Sequence, residues 1–447
     1  MQKDRSVIVV GGGISGLSAA SVLAADGFSV TLLEARHRVG GRIFTVRAPE
    51  DGFPIELGAE FIHGKPPEIL QALSGIPVPI SEVDGESWCA FEKPLRPCEF
   101  FPKIDSVLEK MDDSQPDESF LAFLDRSFPQ DEANREHRQR ALGYVAGFNA
   151  ADPALVGVHW LVQGMRAEEQ IEGHRSFRAR GGYESLVEIF RQRIAAYPEA
   201  GVRTGVVVQA IEWKPNQVEV RAQGPDAAIT LMAPRVLVTV PLPILQAPAG
   251  TVGAIDFRPV LPRTKLEAVR RLEMGKVIRL VLQFNDRFWE KISPPGAGSE
   301  GLSQMGFLFS NDECFPTWWT AMPDKAPVIT GWAPFRAGEG LSGKGLEFVT
   351  RKSLESLSSI LGVDRKTLQK ELKHSYLHDW QADPFSRGAY SYGKAGCDGA
   401  QKILGAPVEN TLFFAGEATD ITGHNGTVHG AMASGYRAAR EILRSAE

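Results

Sequence analysis

Gly11-Gly12-Gly13-Ile14-Ser15-Gly16 has the spacing G-x-G-x-x-G and stands between an apolar run, RSVIVV, and a helical one, LSAASVLAADG. Glycine clusters are common in turns, so the hexapeptide alone is a weak signal. Between a strand and a helix it carries more. The glycines permit a tight turn and close backbone approach to a pyrophosphate, which rests on the helix N-terminus. Glu34 ends the next strand, FSVTLLE, about 20 residues on, where an acid would bind a ribose. An acid there suits an unphosphorylated adenosine ribose. Gly11, Gly13, Ile14, Ser15, Gly16, Glu34 and Ala35 are thus candidate contacts to a dinucleotide.

EARHRVGGRIFT follows at once. A nicotinamide-binding unit has no need of R-V-G-G-R here. For a flavin dinucleotide, Gly40 and Gly41 let backbone amides approach, and Arg42 can neutralise a diphosphate. The bland alternative is a surface turn.

A third group is an arginine inside an apolar strand, MGKVIRLVLQF, Met274 to Phe284. Strand residues alternate faces, so Arg279 shares a face with Val281 and Gln283. It is either a solvated charge on an exposed face or a group aimed inward. Arginine is almost never fully buried without a partner.

The elements that must position these groups can be read coarsely. The first forty residues give strand, glycine turn, helix and strand, a βαβ unit opening an α/β domain. Between about 100 and 195, DESFLAFLDRSF and YESLVEIFRQRIAAY are amphipathic at helical spacing. VRTGVVVQAIEW, QVEVRA and RVLVTVPL return to β character. PRTKLEAVRRLEMG is expected to be a short helix ended by Gly275. The 290–345 segment reads as rich in loops, and a helix is expected over 345–361. The chain closes with an apolar strand, NTLFFAG, and a helix from about Thr427. The first and last strands are both apolar, as central parallel strands are, so one domain is expected to be assembled from separated segments.

Composition narrows the function classes. A chain of 447 residues suggests two or three compact units. Net charge is −6 with no long Lys/Arg block, which argues against nucleic acid. The four cysteines, Cys89, Cys98, Cys314 and Cys397, include no C-x-x-C pair, arguing against a zinc site or a disulfide framework. No metal is expected. A strand begins by residue 7, leaving no room for a leader, and no apolar run reaches about 18 residues. The expectation is a soluble, cytoplasmic protein with no membrane partner. Oligomeric state cannot be read.

VVGGGISGLSAA, LLEARHRVGGR, IELGAEFIHG and the terminal LFFAGEATD…GTVHGAMASGYRAAREIL together resemble the flavin-containing amine oxidase family. Monoamine oxidases, polyamine oxidases, flavin histone-lysine demethylases and L-amino-acid oxidases belong to it. The resemblance covers nearly the whole chain. It implies an α/β fold: a discontinuous, glutathione-reductase-like FAD-binding Rossmann domain plus a substrate domain of sheet and helices. The FAD domain would comprise residues 1–75, 195–265 and 388–447, and the substrate domain 76–194 and 266–387.

Carried over by position, the resemblance implies that Glu34, Arg36 and Arg42, with Gly41 between them, hold the ADP half of FAD. Gly58, Ala59 and Glu60 would line the isoalloxazine, and Val208 would meet the adenine through its backbone. Gly416 and Glu417 would sit by the diphosphate and ribitol. Thr427 and Val428 would open the final helix toward the flavin pyrimidine, where a helix N-terminus favours negative charge. That helix also carries Gly430, Ser434 and Ala438 at four-residue spacing beside Ala431, Gly435 and Ala439, a pattern that means close packing first.

LHDWQADPFSRGAYSYG resembles the family segment that places a tryptophan, Trp380, near the flavin and an aromatic, Tyr390, beside the substrate amine. An aromatic face suits an amine. Monoamine oxidases carry a flavin-linking cysteine where this chain has Ala389, which implies noncovalent FAD. Their second cage tyrosine falls at Thr427. That departure, with TVHGA and with His63 in LGAEFIHG, is similar to the polyamine oxidase and demethylase branch, and gives His63 a place in the substrate pocket.

The family strand resembling GKVIRLVLQFNDRFW carries a lysine that holds a water near flavin N5 and is implicated in reaction with oxygen. Arg279 stands in its place. Lys276 cannot replace it, because a three-residue offset puts it on the opposite strand face. Arginine is longer, planar and forked, not an equivalent donor. Arg279 is thus expected to face the flavin.

The implied reaction is FAD-dependent oxidation of an amine C–N bond to an imine, hydrolysed to aldehyde and amine, with O2 or another acceptor taking the electrons. The candidate catalytic residues are Arg279, Tyr390, Trp380, Thr427 and His63. Polyamines are the first expected substrates, with Glu60, Glu82, Asp84, Glu168 and Glu169 as candidate acids for distal ammonium groups. A primary monoamine is the runner-up. An FAD-dependent dehydrogenase or desaturase on a non-amine substrate, slow with O2 because of Arg279, remains open, as does a flavin-binding protein with little turnover.

Overall fold

Five parallel strands carry the glycine motif. β1 (Ser6–Val10) pairs in register with β2 (Ser29–Leu33) on one side and with Val236–Val238 on the other, and Ala200–Arg203 and Leu412–Phe414 complete the sheet. The computed structural model describes residues 5–76, 78–91, 94–98, 102–295 and 300–447. The first four residues, where a leader was sought, lie outside these.

α1 (Ile14–Ala25) begins at the glycine turn and is buried along nearly its whole length. The final helix, Val428–Ala446, lies against it with almost no gap: a Cβ on Gly435 would come within 2.4 Å of Ser15 O and Ser18 Oγ. Ser15 Oγ and Ser434 Oγ are 3.2 Å apart across the same contact. The small-residue stripe is therefore a packing surface, as its spacing suggested. A four-stranded sheet, in the order Ala228–Ala233, Gln217–Gln223, Val207–Lys214 and Asp256–Arg258, shares a core with the parallel sheet, its Ile211, Val218 and Val220 packing with Ile8, Val10 and Val238.

A second large sheet has seven strands in the order Leu372–Leu377, Val277–Phe284, Val328–Pro334, Thr317–Thr320, Met305–Ser310, Glu86–Ala90 and Arg96–Pro97. Every residue of Val277–Phe284 is buried. The exposed-face reading of Arg279 therefore fails, because both faces of this strand are covered. Gln283 on the same face is satisfied by the Tyr376 hydroxyl at 2.7 Å.

Four sequence expectations need correction. The 290–345 segment is not mainly loop but supplies three of these strands and the helix Phe335–Leu341; its strands are short, and prolines and glycines between them mask the pattern. The expected helix ending at Gly275 stops at Arg271, because Leu272-Glu273-Met274 alternates buried and half-buried residues and pairs with Ser391–Gly393. The last strand lies at the edge of the parallel sheet rather than in its centre, although buried on both faces. Cys89 and Cys98 form a disulfide, with Cα atoms 5.6 Å apart. A search for C-x-x-C could not find it, because a strand reversal brings the two together.

The helices expected over 345–361 and from Thr427 are present as Leu346–Leu361 and Val428–Ala446. Thr427 caps the latter: its hydroxyl accepts from Gly430 N–H at 3.0 Å and donates to His424 O at 2.7 Å. Among the described residues no helix is long and apolar enough to cross a membrane.

Candidate active site

A single cavity of about 600 Å³ runs from the glycine turn, past the N-terminus of the final helix, into a chamber walled by the seven-stranded sheet. Gly11, Gly13, Ile14, Ser15, Glu34 and Ala35 line its first end. Gly11 has φ +110, which favours glycine. A Cβ on Gly13 would meet no protein atom within 4 Å, so this residue opens directly on the cavity. Gly16 does not line it; a Cβ there would strike Gly11 O at 2.1 Å, so its place is to let helix and strand close. Glu34 is buried and accepts from Gly12 N–H at 2.7 Å and Arg36 N–H at 2.9 Å.

The two arginines expected to hold the ADP half of the cofactor, Arg36 and Arg42, are already engaged. Arg36 donates to both oxygens of Asp383, at 3.2 and 2.6 Å, and to Ser386 Oγ. Burial opposes the Asp383 charge, but His378 and Arg36 outweigh it and hold this carboxyl well below the usual range. Arg42 bridges Ala389 O (2.7 Å) and Glu417 Oε1 (2.9 Å). Arg38, which sequence reasoning passed over, donates to Val39 O, Gly41 O and Ile43 O and stacks on Phe44 at 3.9 Å, shaping the R-V-G-G-R turn. Only the adjacent repetition of arginines could have hinted at it.

Val208 borders the cavity where its strand has a bulge, between Val208 and Ala210, which frees backbone groups from the ladder. Gly416, with φ +124, donates its N–H to Ser434 Oγ and lies beside Glu417 at the cavity wall. Thr427 and Val428 present the first turn of the final helix to the cavity.

Gly58, Ala59 and Glu60 form the junction between the two ends. A Cβ on Gly58 would come within 1.9 Å of Arg42 O. Trp380 packs against this segment and donates its indole N–H to Leu57 O at 2.7 Å. Arg279 is 6% exposed, donates to Gly58 O at 3.0 Å and forms an ion pair with Glu60. The other Glu60 oxygen accepts from Arg178 Nε at 2.6 Å, and Trp319 Nε1 donates to the first at 2.9 Å. Burial works against the Glu60 charge, yet Arg279 and Arg178 hold its carboxyl down to about 2. Glu60 therefore lines the cavity as expected but is not free to hold an ammonium group, a correction to its candidacy as a substrate acid. Arg178 carried no sequence signal.

The far chamber is aromatic, with Phe61, Tyr144, Phe148, Trp319, Trp332 and Tyr390 in its wall. Tyr144 and Phe148 stack at 5.3 Å, an i,i+4 pair at the C-terminal end of the helix Arg135–Gly147, Phe148 being the residue just past it. Tyr390 donates its hydroxyl to Phe148 O at 2.6 Å. His63 touches the Phe148 edge at 5.7 Å, and burial lowers its pKa to about 4, so the ring is neutral.

Of the other candidate acids, Glu82 pairs with Arg175 at the surface, and Asp84 and Glu169 are exposed. Glu168 alone faces the cavity without an ion pair among the described residues, and burial pushes its carboxyl up to about 7. The three ligand-type side chains Asp117, His159 and Asp398 cluster elsewhere, but both ring nitrogens of His159 are engaged by Asp398 and Gln115 O.

Comparison with known proteins bears on the family and the fold. The family model for flavin-containing amine oxidoreductases matches residues 14–86 and 95–443. A lysine-specific histone demethylase 1 homolog 3 of Arabidopsis thaliana is 28% identical over 98% of this chain, which spans only 30% of that protein. Polyamine oxidase 3 of Oryza sativa subsp. japonica is 27% identical over 98% of this chain and 88% of its own. Among solved structures, wild-type putrescine oxidase bound to putrescine superposes with a TM-score of 0.80 at 22% identity, covering 98% of this chain and 99% of that one.

Proposed function

The chain belongs to the flavin-containing amine oxidoreductase family, and from that premise we propose that it binds FAD noncovalently and oxidises an amine C–N bond to an imine, which water hydrolyses to aldehyde and amine. The observation that carries this reading is the continuity of one cavity from a glycine cradle with a buried ribose-type acid to an aromatic chamber with a carboxylate, Glu168, that forms no ion pair among the described residues. The cradle fits the dinucleotide: Gly13 leaves open space where any side chain would stand, and Glu34, directly after β2, accepts from Gly12 N–H beside it.

FAD, when bound, supplies the acceptor for the hydride equivalent leaving the amine carbon. The protein positions the amine. Tyr390 and the Phe148 ring present aromatic faces to it, and neutral His63 offers a lone pair to an amine N–H. Glu168 holds a second ammonium group of the substrate when ionised. Thr427 acts by capping the helix that faces the cofactor rather than as a proton carrier, since its hydroxyl is engaged on both sides. None of the four cysteines lines the cavity, and Ala389 offers only a methyl group, which supports noncovalent FAD.

Residues 1–75, 195–265 and 388–447 would form the FAD domain, and 76–194 and 266–387 the substrate domain. Polyamine or diamine substrates are favoured by the polyamine oxidase relatives and by Glu168. A second reading, a dehydrogenase slow with O2, is favoured by the anchoring of Arg279 on Glu60 and Gly58 O. The test is turnover of FAD-loaded protein with polyamines, diamines and monoamines, measuring aldehyde and H2O2. Aldehyde with equimolar H2O2 supports an oxidase. Aldehyde only with an artificial acceptor supports the second reading, and no aldehyde from any amine contradicts both.

A further inference from the structure

Glu60, Arg178 and Arg279 form a buried cluster of two guanidiniums and one carboxylate, with side chains 6–11% exposed. Arg279 is fixed at three points: Nη2 on Glu60, Nη1 on Gly58 O at 3.0 Å, and its plane over the Trp319 ring at 5.4 Å. Its Nε is buried with no partner. Arg178 is fixed in turn by Glu60, Met322 O and Thr320 O, and lies over Phe61 at 4.8 Å. The other acid in reach is Glu56, whose carboxyl burial pushes up to about 7 while Tyr183 N–H and Thr45 Oγ1 donate to it. Glu56 is thus fully neutral only below about pH 7, where the cluster carries one surplus positive charge; Glu60 and Arg279 line the cavity beside Gly58 and Ala59, in a region where charge is poorly screened.

Ion pairs of this kind are weak sources of stability, and hydrophobic replacements often serve as well. The junction of the nucleotide end with the aromatic chamber is also where the reacting part of a bound flavin must lie for an amine to reach it. We propose that Glu60 is a positioning residue that, with Arg178, locks the Arg279 cation beside the flavin, so that the cluster's surplus charge favours the reduced, anionic cofactor. This rests on the flavin-binding reading above. Glu60 moderates the charge and fixes its place; Arg279 delivers it.

The experiment is an equilibrium redox titration of the FAD-loaded protein against indicator dyes. Glu60→Gln leaves two cations, and the reduced-to-oxidised ratio at fixed poise rises about tenfold, equivalent to about 30 mV for a two-electron couple. Arg279→Gln leaves none in surplus, and the ratio falls by a similar factor. Arg279→Lys stays within about threefold of wild type, as does the surface control Arg175→Gln. A merely structural role would move Glu60→Gln and Arg279→Gln in the same direction or not at all, and either result overturns the proposal. Should these variants shed flavin, the wild-type spectrum decides: the reduced cofactor stays anionic below the pH at which free reduced flavin takes up its proton, and a neutral spectrum there overturns it. Failure of wild type to take up any flavin would sink the functional reading instead.

Discussion

Arg279 and Glu60 stand 219 positions apart in the chain and meet as a buried ion pair against the carbonyl of Gly58. Removing the carboxylate strands two guanidiniums out of water. Glu60→Ala is therefore expected to cost about 3–5 kcal/mol, read as a lower denaturant midpoint with an unchanged slope. A loss below about 1 kcal/mol would mean that water reaches these cations.

Gly58→Ala places a methyl 1.9 Å from the Arg42 carbonyl, a backbone atom that cannot swing aside. The junction must open, and flavin loading is expected to fall to a small fraction of wild type by absorbance per protein. Full loading at wild-type melting temperature would show that this segment is looser than its packing implies.

Glu168 ionises as pH rises through about 7, so KM for amines with a second ammonium group should fall between about pH 6 and 8. In Glu168→Gln that limb should vanish, with KM about tenfold higher, ~1.4 kcal/mol, at the alkaline end and kcat little changed. Stability moves oppositely. The folded pKa is raised, so the contribution is full below the unfolded pKa of about 4.3 and is lost as pH climbs from there to about 7; Glu168→Gln should gain melting temperature relative to wild type over that lower range and level off above it. An unchanged KM profile would remove Glu168 from substrate binding.

The Cys89–Cys98 bond leaves Cys314 and Cys397 free. Alkylation of the denatured, unreduced protein should label two cysteines, rising to four after reduction. Four labels without reductant would show that the bond does not form in the compartment of origin.

The glycine cradle could be read from sequence because its residues are contiguous and its meaning depends only on the strand before and the helix after. The same holds for Thr427, a cap directly before a long amphipathic run. The site's electrostatics could not be read this way. Glu60, Arg178, Trp319 and Arg279 come from four separate strands or loops, and what brings them together is their convergence on the Glu60 carboxylate, with Arg279 and Trp319 on neighbouring regions of one sheet and Arg178 on another. Glu82 and Asp84 looked as suitable as Glu168 until burial distinguished a cavity wall from a solvated surface.

The most direct test is anaerobic mixing of the FAD-loaded protein with diamines, polyamines, monoamines and amino acids while following the flavin's visible absorbance. Bleaching by amines with a second positive charge, faster than by monoamines and slowed in Glu168→Gln, is the expected result. A fully loaded flavin that no amine bleaches would contradict the account at its centre.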